Sequence, residues 1–292
     1  MNNYWKYHIL FLLPALFFFI MTVYYPLFYT ILLSFTHSTG FEKTMADIKF
    51  GGLDNYISIF TNPDYIKPFM NTIKFALFTT IVVNVLQFTL ALILDHDLKT
   101  KNFLRASFYI PALLSGTVIS GIFTNMLQYR GVMNTILTQI GLEFWVNDWF
   151  GNMGTALEML MSIQVWQYLG FGAVVYLAGL QSIPVDYYEA ATIDGANFLA
   201  KLKAITFPLM MPVITVITFF AIVGGLKIFD LPFIITKGGP AGATETISTY
   251  IYKLNSVNRV GLACAIGVVM LLLISMITCI QLFFTRKREV EL

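Results

Sequence analysis

The sequence predicts an all-α membrane protein that crosses the bilayer several times, and three features of its composition support this. Of 292 residues, 57% are hydrophobic and only 12% are charged, whereas a soluble domain carries about 25% charged residues. The mean hydropathy is +0.73. Too few charged groups are left to cover a water-exposed surface of this size, which excludes a soluble enzyme, a secreted disulfide-rich domain and a disordered tail. A net charge of only +2 gives no basic excess for binding nucleic acid.

Six segments are long and apolar enough to cross the hydrocarbon core, which requires about 20 mostly apolar residues. The predicted spans are approximately 9–35, 72–94, 104–127, 156–180, 209–229 and 262–284. The first span has no small-residue cleavage pattern after Tyr24 and Tyr25, so we expect an uncleaved span rather than a signal peptide. Pro14 and Pro26 are expected to kink or end it. The chain, 1–292, is predicted to form a single transmembrane domain.

Positively charged residues are concentrated in the short links on one side of these six spans. They are Lys6, Lys99, Lys101, Arg105, Lys201, Lys203, Arg286, Lys287 and Arg288. The loops on the opposite side are longer and carry fewer positive charges for their length. Because Lys and Arg in short loops favour the cytoplasmic side, both termini are predicted to be cytoplasmic.

The longest predicted cytoplasmic link, 182–208, has the pattern of two short helices, and it is called the knuckle below. Ser182 suits the start of the first helix, and Gly195 suits its C-terminal end. A second helix is predicted over 196–205, with a break at Pro208. The pattern alone leaves open whether the knuckle only connects two spans or contacts another protein.

The knuckle also contains a spaced motif. It consists of Glu189-Ala190-Ala191, three residues, Gly195, nine residues, Ile205, one residue and Phe207-Pro208. This spacing resembles the EAA loop of binding-protein-dependent ABC importer permeases, in which leucine is usual at the position of Phe207. Four other stretches resemble the carbohydrate branch of that family, in its MalF-like half: Gly51–Phe60, Met70–Leu77, Arg105–Gly116 and, most specifically, Phe229–Tyr252.

This resemblance covers essentially the whole chain and implies the MetI/MalF-like permease fold. It implies a non-catalytic permease subunit of a carbohydrate importer in the bacterial cytoplasmic membrane, with oligosaccharides as the expected substrates and alternating access as the mechanism. The implied partners are a second, MalG-like permease subunit, an ATPase dimer that binds ATP and Mg²⁺, and an extracellular solute-binding protein. The chain itself has no GxxxxGK[ST] phosphate loop and is expected to bind no cofactor. The residues that the resemblance assigns to ATPase coupling are Glu189, Ala190, Ala191, Asp194 and Gly195.

A sugar path needs neutral hydrogen-bonding side chains and aromatic rings, and the fourth span carries both on one helix face. The stripe consists of Gln164, Gln167, Tyr168 and Phe171. The two amides could instead bond neighbouring helices. The resemblance favours a path, because the spans that flank the EAA loop line the pathway in this family. Further candidates for the path are Thr117, Gly224 and Gly225.

Other classes of function have less support in the sequence. A secondary, ion-coupled transporter is expected to show more spans, inverted repeats or ion-coupling carboxylates, and only Asp230 is a candidate for such a carboxylate. An ABC permease for glycerol phosphate stays open because Lys227 could serve an anion. A membrane enzyme would need clustered acidic or histidine side chains. The histidines and cysteines are scattered, so no metal site is expected.

The topology prediction can be tested by labelling single cysteines in a cysteine-free background. Cysteines at Gly195 and Arg288 should react only from the cytoplasmic side. Cysteines at Asn55, Asn147 and Gly239 should react with an impermeant reagent in intact cells. Labelling of position 195 from outside would contradict the six-span topology.

Overall fold

The computed structural model describes residues 4–42, 44, 47–97 and 99–289. In these ranges the chain is almost entirely helical, and an isolated antiparallel bridge joins Thr36 to Phe50. This confirms the predicted all-α class. The helices are α1 (Tyr4–Phe19), α2 (Tyr25–Ser34), α3 (Asp54–Thr61), α4 (Pro63–Asp95), α5 (Lys101–Leu113), α6 (Gly116–Leu127), α7 (Val132–Gln139), α8 (Ala156–Gln181), α9 (Val185–Ile193), α10 (Phe198–Lys201), α11 (Phe207–Leu226), α12 (Ile247–Ser256) and α13 (Val260–Arg286).

Among the described residues, five helical segments are long and apolar enough to cross a membrane, and each overlaps a predicted span. They are Leu10–Ser34, Pro63–Asp95, Ala156–Gln181, Phe198–Leu226 and Val260–Arg286. A sixth exists only as a broken pair, because the chain bends by 98° between α5 and the helical stretch that begins with α6. The predicted third span, 104–127, is therefore not one straight helix.

The bend between α5 and α6 has a local cause. Pro111 lies in the last turn of α5, where it removes one backbone donor. Ser115 then caps the new helix, since its Oγ accepts a hydrogen bond from the backbone nitrogen of Val118 at 3.3 Å. We call residues 114–116, which join the two helices, the elbow.

The predicted break at Pro208 is wrong, and of the kink or end predicted at Pro26 the end is absent. In both places the helix continues through a π-helical turn, Ile20–Tyr24 or Leu202–Thr206, that ends immediately before the helix bearing the proline. A widened turn accommodates a residue that has no N–H to donate and whose ring crowds the preceding turn. Consequently the knuckle runs without interruption into the fifth span, which ends at Leu226 rather than at 229.

The chain forms two compact units. The first contains the residues up to Ile66 together with Tyr250–Leu272. Within it, the buried Asn55 side chain donates hydrogen bonds to the carbonyl oxygens of Ser34 and Thr36, at 2.9 and 2.8 Å. Because Asn55 is buried, the exposed Thr61 is the better position for a labelling cysteine in this loop.

The second unit contains Lys67–Thr249 and the residues from Leu273 onward. It has two apolar clusters, one at each end of α8. The first consists of Phe75, Ile119, Leu127, Leu157, Leu160, Met161, Ile163, Ile228 and Leu231. The second consists of Ala91, Leu94, Tyr176, Leu177, Leu180, Ile183, Met210 and Ile217. The helices α4 and α8 contribute residues to both clusters, and their middle turns lie between the clusters. The helix α11 contributes to the second cluster, and residues just after its end belong to the first.

Glycine at position 170 allows α8 to cross α5 closely. A Cβ atom at Gly170 would overlap the backbone carbonyl of Phe108 and the nitrogen of Tyr109. Replacing Gly170 with alanine should therefore force the two helices apart and destabilise the protein by about 1–3 kcal/mol. The measurement is the thermal unfolding midpoint of the purified chain in detergent.

The matched control is Gly121→Ala in α6, where a Cβ atom would meet no atom within 4 Å. This variant should unfold at the wild-type temperature or slightly above it, since alanine favours helix more than glycine does. Equal midpoints for Gly170→Ala and Gly121→Ala would contradict the close crossing.

Candidate functional site

A cavity of about 580 Å³ lies between the two apolar clusters of the second unit. This volume is within the usual range for sites that bind small molecules. Its wall is built from the middle turns of α4 and α8, from the middle and final turns of α11, from the elbow, and from residues 227–231, which follow α11 and are called the rim. The cavity therefore lies beside the middle of α4 and α8 and beside the second half of α11.

The structure brings the predicted stripe of α8 into this wall. Gln164, Gln167, Tyr168 and Phe171 all line the cavity, and so does Gly224 of α11. Gln164 is half-buried, and among the described residues its amide makes no hydrogen bond. An amide and two partly exposed rings thus face the cavity, a combination that suits hydroxyl groups and the apolar face of a sugar ring.

Two other residues proposed for the path do not line the cavity. Thr117 is exposed on α6, beyond the elbow. Gly225 is buried against α4, where a Cβ atom would lie 2.8 Å from the Cα atom of Ala76. Gly225 therefore allows close helix packing, whereas its neighbour Gly224 faces the cavity.

The alternative explanation for the amides, bonding between helices, applies to one member of the stripe. Gln167 is 3% exposed, and its Nε2 donates to the Leu114 carbonyl oxygen of the elbow at 3.2 Å. In α4, Gln87 is equally buried and donates to the Tyr168 carbonyl oxygen at 2.9 Å. Asn84 accepts a hydrogen bond from Tyr176 at 2.6 Å. Gln167 thus both lines the cavity and fixes its wall.

The elbow and the rim are parts of the wall that sequence reasoning missed. The signal for the elbow was present, since Pro111 followed by Ser115-Gly116 is a helix-end and helix-start pattern. The sequence suggested Lys227 of the rim only as a group for an anion and Asp230 only as an ion-coupling carboxylate. Both are exposed to the cavity, and in the described part of the chain they form no ion pair with each other.

The rim also contacts the elbow. A Cβ atom at Gly116 would lie 2.6 Å from Oδ2 of Asp230, so glycine at this position lets the aspartate pack against the start of α6. The elbow and the rim therefore meet at one edge of the cavity.

The knuckle forms a second candidate site. Its first helix, α9, ends in a Schellman motif: the nitrogen of Ala196 donates to the Ala191 carbonyl oxygen at 2.9 Å, and that of Gly195 donates to Thr192 at 3.1 Å. Gly195 has φ +76°, which glycine adopts without strain. The predicted C-terminal glycine is confirmed.

The predicted helix start at Ser182 is wrong. The Ser182 hydroxyl donates to the Gly179 carbonyl oxygen at 2.7 Å and so belongs to the end of α8, while α9 starts at Val185. The second helix of the knuckle starts at Phe198 rather than 196. Sequence reasoning missed its cap, Asn197, whose side chain accepts from the nitrogen of Ala200 at 2.9 Å.

The two halves of the knuckle are joined to each other by hydrogen bonds, and the knuckle presents an exposed surface. Tyr188 and Thr206 share a hydrogen bond of 3.0 Å between their hydroxyl groups. Lys201 donates to the Thr192 hydroxyl at 2.6 Å. The side chain of Ile193 is 87% exposed, and the motif residues are exposed except for the half-buried Ala191: Glu189, Ala190, Asp194 and Gly195. Such an apolar tip with adjacent charges fits a protein contact.

Comparison with protein families gives one match that covers most of the chain. Residues 99–290 match the family described as the inner membrane component of binding-protein-dependent transport systems. The matched region includes the elbow, the stripe of α8, the knuckle and the rim.

Comparison with individual proteins agrees with this family. The chain is 32% identical to the probable starch degradation products transport system permease protein AmyD of Thermoanaerobacterium thermosulfurigenes, over 100% of this chain and 97% of that relative. It is 30% identical to the multiple sugar-binding transport system permease protein MsmF of Streptococcus mutans, over 99% and 98% of the two chains. A chain in the crystal structure of a bacterial ABC transporter that imports alginate has the same fold, with a TM-score of 0.82, 24% identity and coverage of 97% and 96%.

Proposed function

This chain belongs to the family of binding-protein-dependent transport system inner membrane components, and from this premise we propose that it is a permease subunit of an ABC importer for carbohydrates. The full-length relatives named for starch degradation products and multiple sugars support a carbohydrate substrate. Relatives named for arabinooligosaccharides support oligosaccharides in particular. These relatives do not favour an ion-coupled transporter or a glycerol phosphate permease.

The single observation that carries the proposal is the position of the cavity relative to the knuckle. The helix that begins at Phe198 in the knuckle continues to Leu226, and its middle and final turns line the cavity. At the other end of the knuckle, α8, which also lines the cavity, ends at Gln181, and α9 begins at Val185. Because helices are stiff, a movement of the knuckle must displace two walls of the cavity. This linkage is what alternating access requires.

The proposed partners follow from this role. A second, MalG-like permease subunit completes the path through the bilayer. An ATPase dimer, which carries ATP and Mg²⁺, binds the knuckle on the cytoplasmic side and hydrolyses the nucleotide, so that this chain is not itself an enzyme. A solute-binding protein delivers the sugar from outside; one solved structure of the same fold contains a periplasmic protein bound to an alginate pentasaccharide. Both termini of this chain lie in the cytoplasm.

The proposed function is tested by uptake of radiolabelled carbohydrates in cells with and without the gene. The panel contains maltotriose, arabinotriose, lactose and a uronate trisaccharide, with glycerol 3-phosphate as the comparison compound. Uptake of at least one oligosaccharide should be lost with the gene and should depend on ATP. Loss of no carbohydrate from this panel, or uptake that follows an ion gradient without ATP, would argue against the proposal.

Removing a cavity-facing group of the stripe should impair transport without impairing assembly. Gln164→Ala removes a hydrogen-bonding amide, and Tyr168→Ala removes a stacking ring. Each loss is expected to cost about 1 kcal/mol of substrate interaction, which corresponds to about a fivefold lower uptake rate. The measurement is the initial uptake rate per assembled complex.

Two control variants separate transport from packing. Gln281→Ala removes an amide of α13 that donates to Thr215 outside the cavity, at 3.2 Å, and Leu169→Ala changes α8 off the stripe. Val165 is unsuitable as a control because it too lines the cavity. If all four variants lose complex in parallel while the remaining complexes transport normally, the stripe serves helix packing only.

Changes in the knuckle should uncouple transport from ATP hydrolysis. Glu189→Lys reverses an exposed charge presented to the ATPase, where unfavourable charge pairing costs several kcal/mol. Gly195→Pro cannot adopt the positive φ angle of the Schellman motif. Both variants should insert normally but lose more than about tenfold in uptake. The control is Asp97→Lys, a charge reversal in another cytoplasmic link, at a fully exposed side chain that pairs with Lys101 at 3.1 Å. Uptake equal to this control would disprove the coupling role.

A further inference from the structure

The buried side chain of Thr246 makes two kinds of contact. It precedes α12, and it forms a reciprocal cap with Thr249: the backbone nitrogen of Thr246 donates to the Thr249 hydroxyl at 2.9 Å, and that of Thr249 donates to the Thr246 hydroxyl at 3.4 Å. A hydroxyl that accepts from a helix nitrogen still has its own proton to donate. That proton goes to the Ile228 carbonyl oxygen of the rim, at 3.2 Å.

The rim needs such donors because it follows the end of a helix. The last carbonyl groups of a helix, and those just beyond it, have no partner within the helix. Ile228 is buried, so its carbonyl oxygen has little access to water. Ser248 adds a weaker contact, since its hydroxyl donates to the Lys227 carbonyl oxygen at 3.4 Å. The rim is thus held by side chains that come from residues about 20 positions later.

These side chains belong to a segment that is also fixed to α4. The segment comprises residues 236–249 and is called the capping loop. Lys67 donates to the Ala241 carbonyl oxygen at 2.6 Å, and Asn71 donates to the Gly242 and Glu245 carbonyl oxygens at 3.1 and 2.9 Å.

The final contact with α4 lies next to Thr246 in the sequence. The nitrogen of Ile247 donates to the hydroxyl of Thr72 at 2.9 Å, and Thr72 is completely buried. The capping loop therefore joins α4 to the rim, which are two different walls of the cavity.

We propose that Thr246 is a positioning residue for the cavity, and that its hydroxyl holds the rim so that the rim, the capping loop and α4 move as one body. Through the rim, Thr246 sets the positions of Lys227 and Asp230, which are the charged residues among those that line the cavity. The hydrogen bond to Ile228 does not depend on the proposed function. Only the expected effect on sugar uptake rests on that function.

The test compares three variants in the assembled transporter. The natural cysteines Cys264 and Cys279 are replaced, and a cysteine is placed at Lys227, which faces the cavity. The rate of its reaction with a small water-soluble thiol reagent reports how firmly the rim is held. Thr246→Val keeps the size of the side chain but loses the proton donated to Ile228, and it should raise this rate about fivefold or more.

The matched control is Thr249→Val, which weakens the same helix cap but leaves the bond from Thr246 to Ile228 in place. It should react at the wild-type rate, and Thr246→Ser, which keeps the hydroxyl, should do so as well. A second readout is uptake of maltotriose by the reconstituted complex. Thr246→Val should raise the half-saturation concentration about fivefold and leave the maximal rate nearly unchanged.

The outcomes separate the possible roles of Thr246. Equal acceleration of thiol reaction in Thr246→Val and Thr249→Val would reduce Thr246 to a helix cap and overturn the proposal, as would an unchanged rate in Thr246→Val. If Thr246→Val does not assemble, Thr246→Ala takes its place, because it adds no methyl group where the hydroxyl stood. If Thr246→Val accelerates the thiol reaction while the wild-type transporter imports no sugar, the bond to Ile228 is supported and the proposed function is contradicted instead.

Discussion

Satisfying the backbone without water is the constraint on which the rest of this structure depends. Inside a bilayer an unpaired N–H or C=O group costs several kcal/mol, so the chain stays helical wherever it crosses. The irregular segments are then possible only where a side chain supplies the missing partner. Ser115 does so at the elbow and Thr246 at the rim. Each break in the helices is therefore also a fixed point.

The same constraint explains how a cavity persists in the middle of the second unit. Apolar clusters close off both ends of α8, and dense packing there leaves little freedom for the helices to collapse inward. The polar groups between the clusters are partly committed to the scaffold. Gln87 and Gln167 bond backbone carbonyls across helices, whereas Gln164 stays available to a ligand. Gln87 and Gln167 therefore hold the wall in place, and Gln164 can contact a ligand.

The proline residues show how transmission through the membrane can be preserved. A helix broken at Pro208 would separate the knuckle from the cavity by a flexible joint. The π-helical turn before this residue keeps the helix continuous from Phe198 to Leu226. The bend at the elbow has the opposite effect, since it brings residues 114–116 into the cavity wall. The continuous helix at Pro208 and the bend at the elbow together determine which parts of the chain move with the knuckle.

The sequence by itself determined the helical class, the apolar segments, the Gly195 turn and the shared face of Gln164, Gln167, Tyr168 and Phe171. These follow from hydropathy, glycine's backbone freedom and the 3.6-residue period, all of which are local. Local rules gave wrong predictions at Pro208 and Ser182. The turn before a proline can widen so that the helix continues, and a serine between two helices can bond to the end of one or cap the start of the other.

Only the tertiary structure decided which polar residues meet. It separated Gly224, which faces the cavity, from Gly225, which packs on α4. It joined the elbow to Gln167, 53 residues away, and Ile228 to Thr246, 18 residues away. Such pairings depend on how the helices pack against one another, and nothing in the spacing of residues along one helix encodes which neighbour will lie opposite.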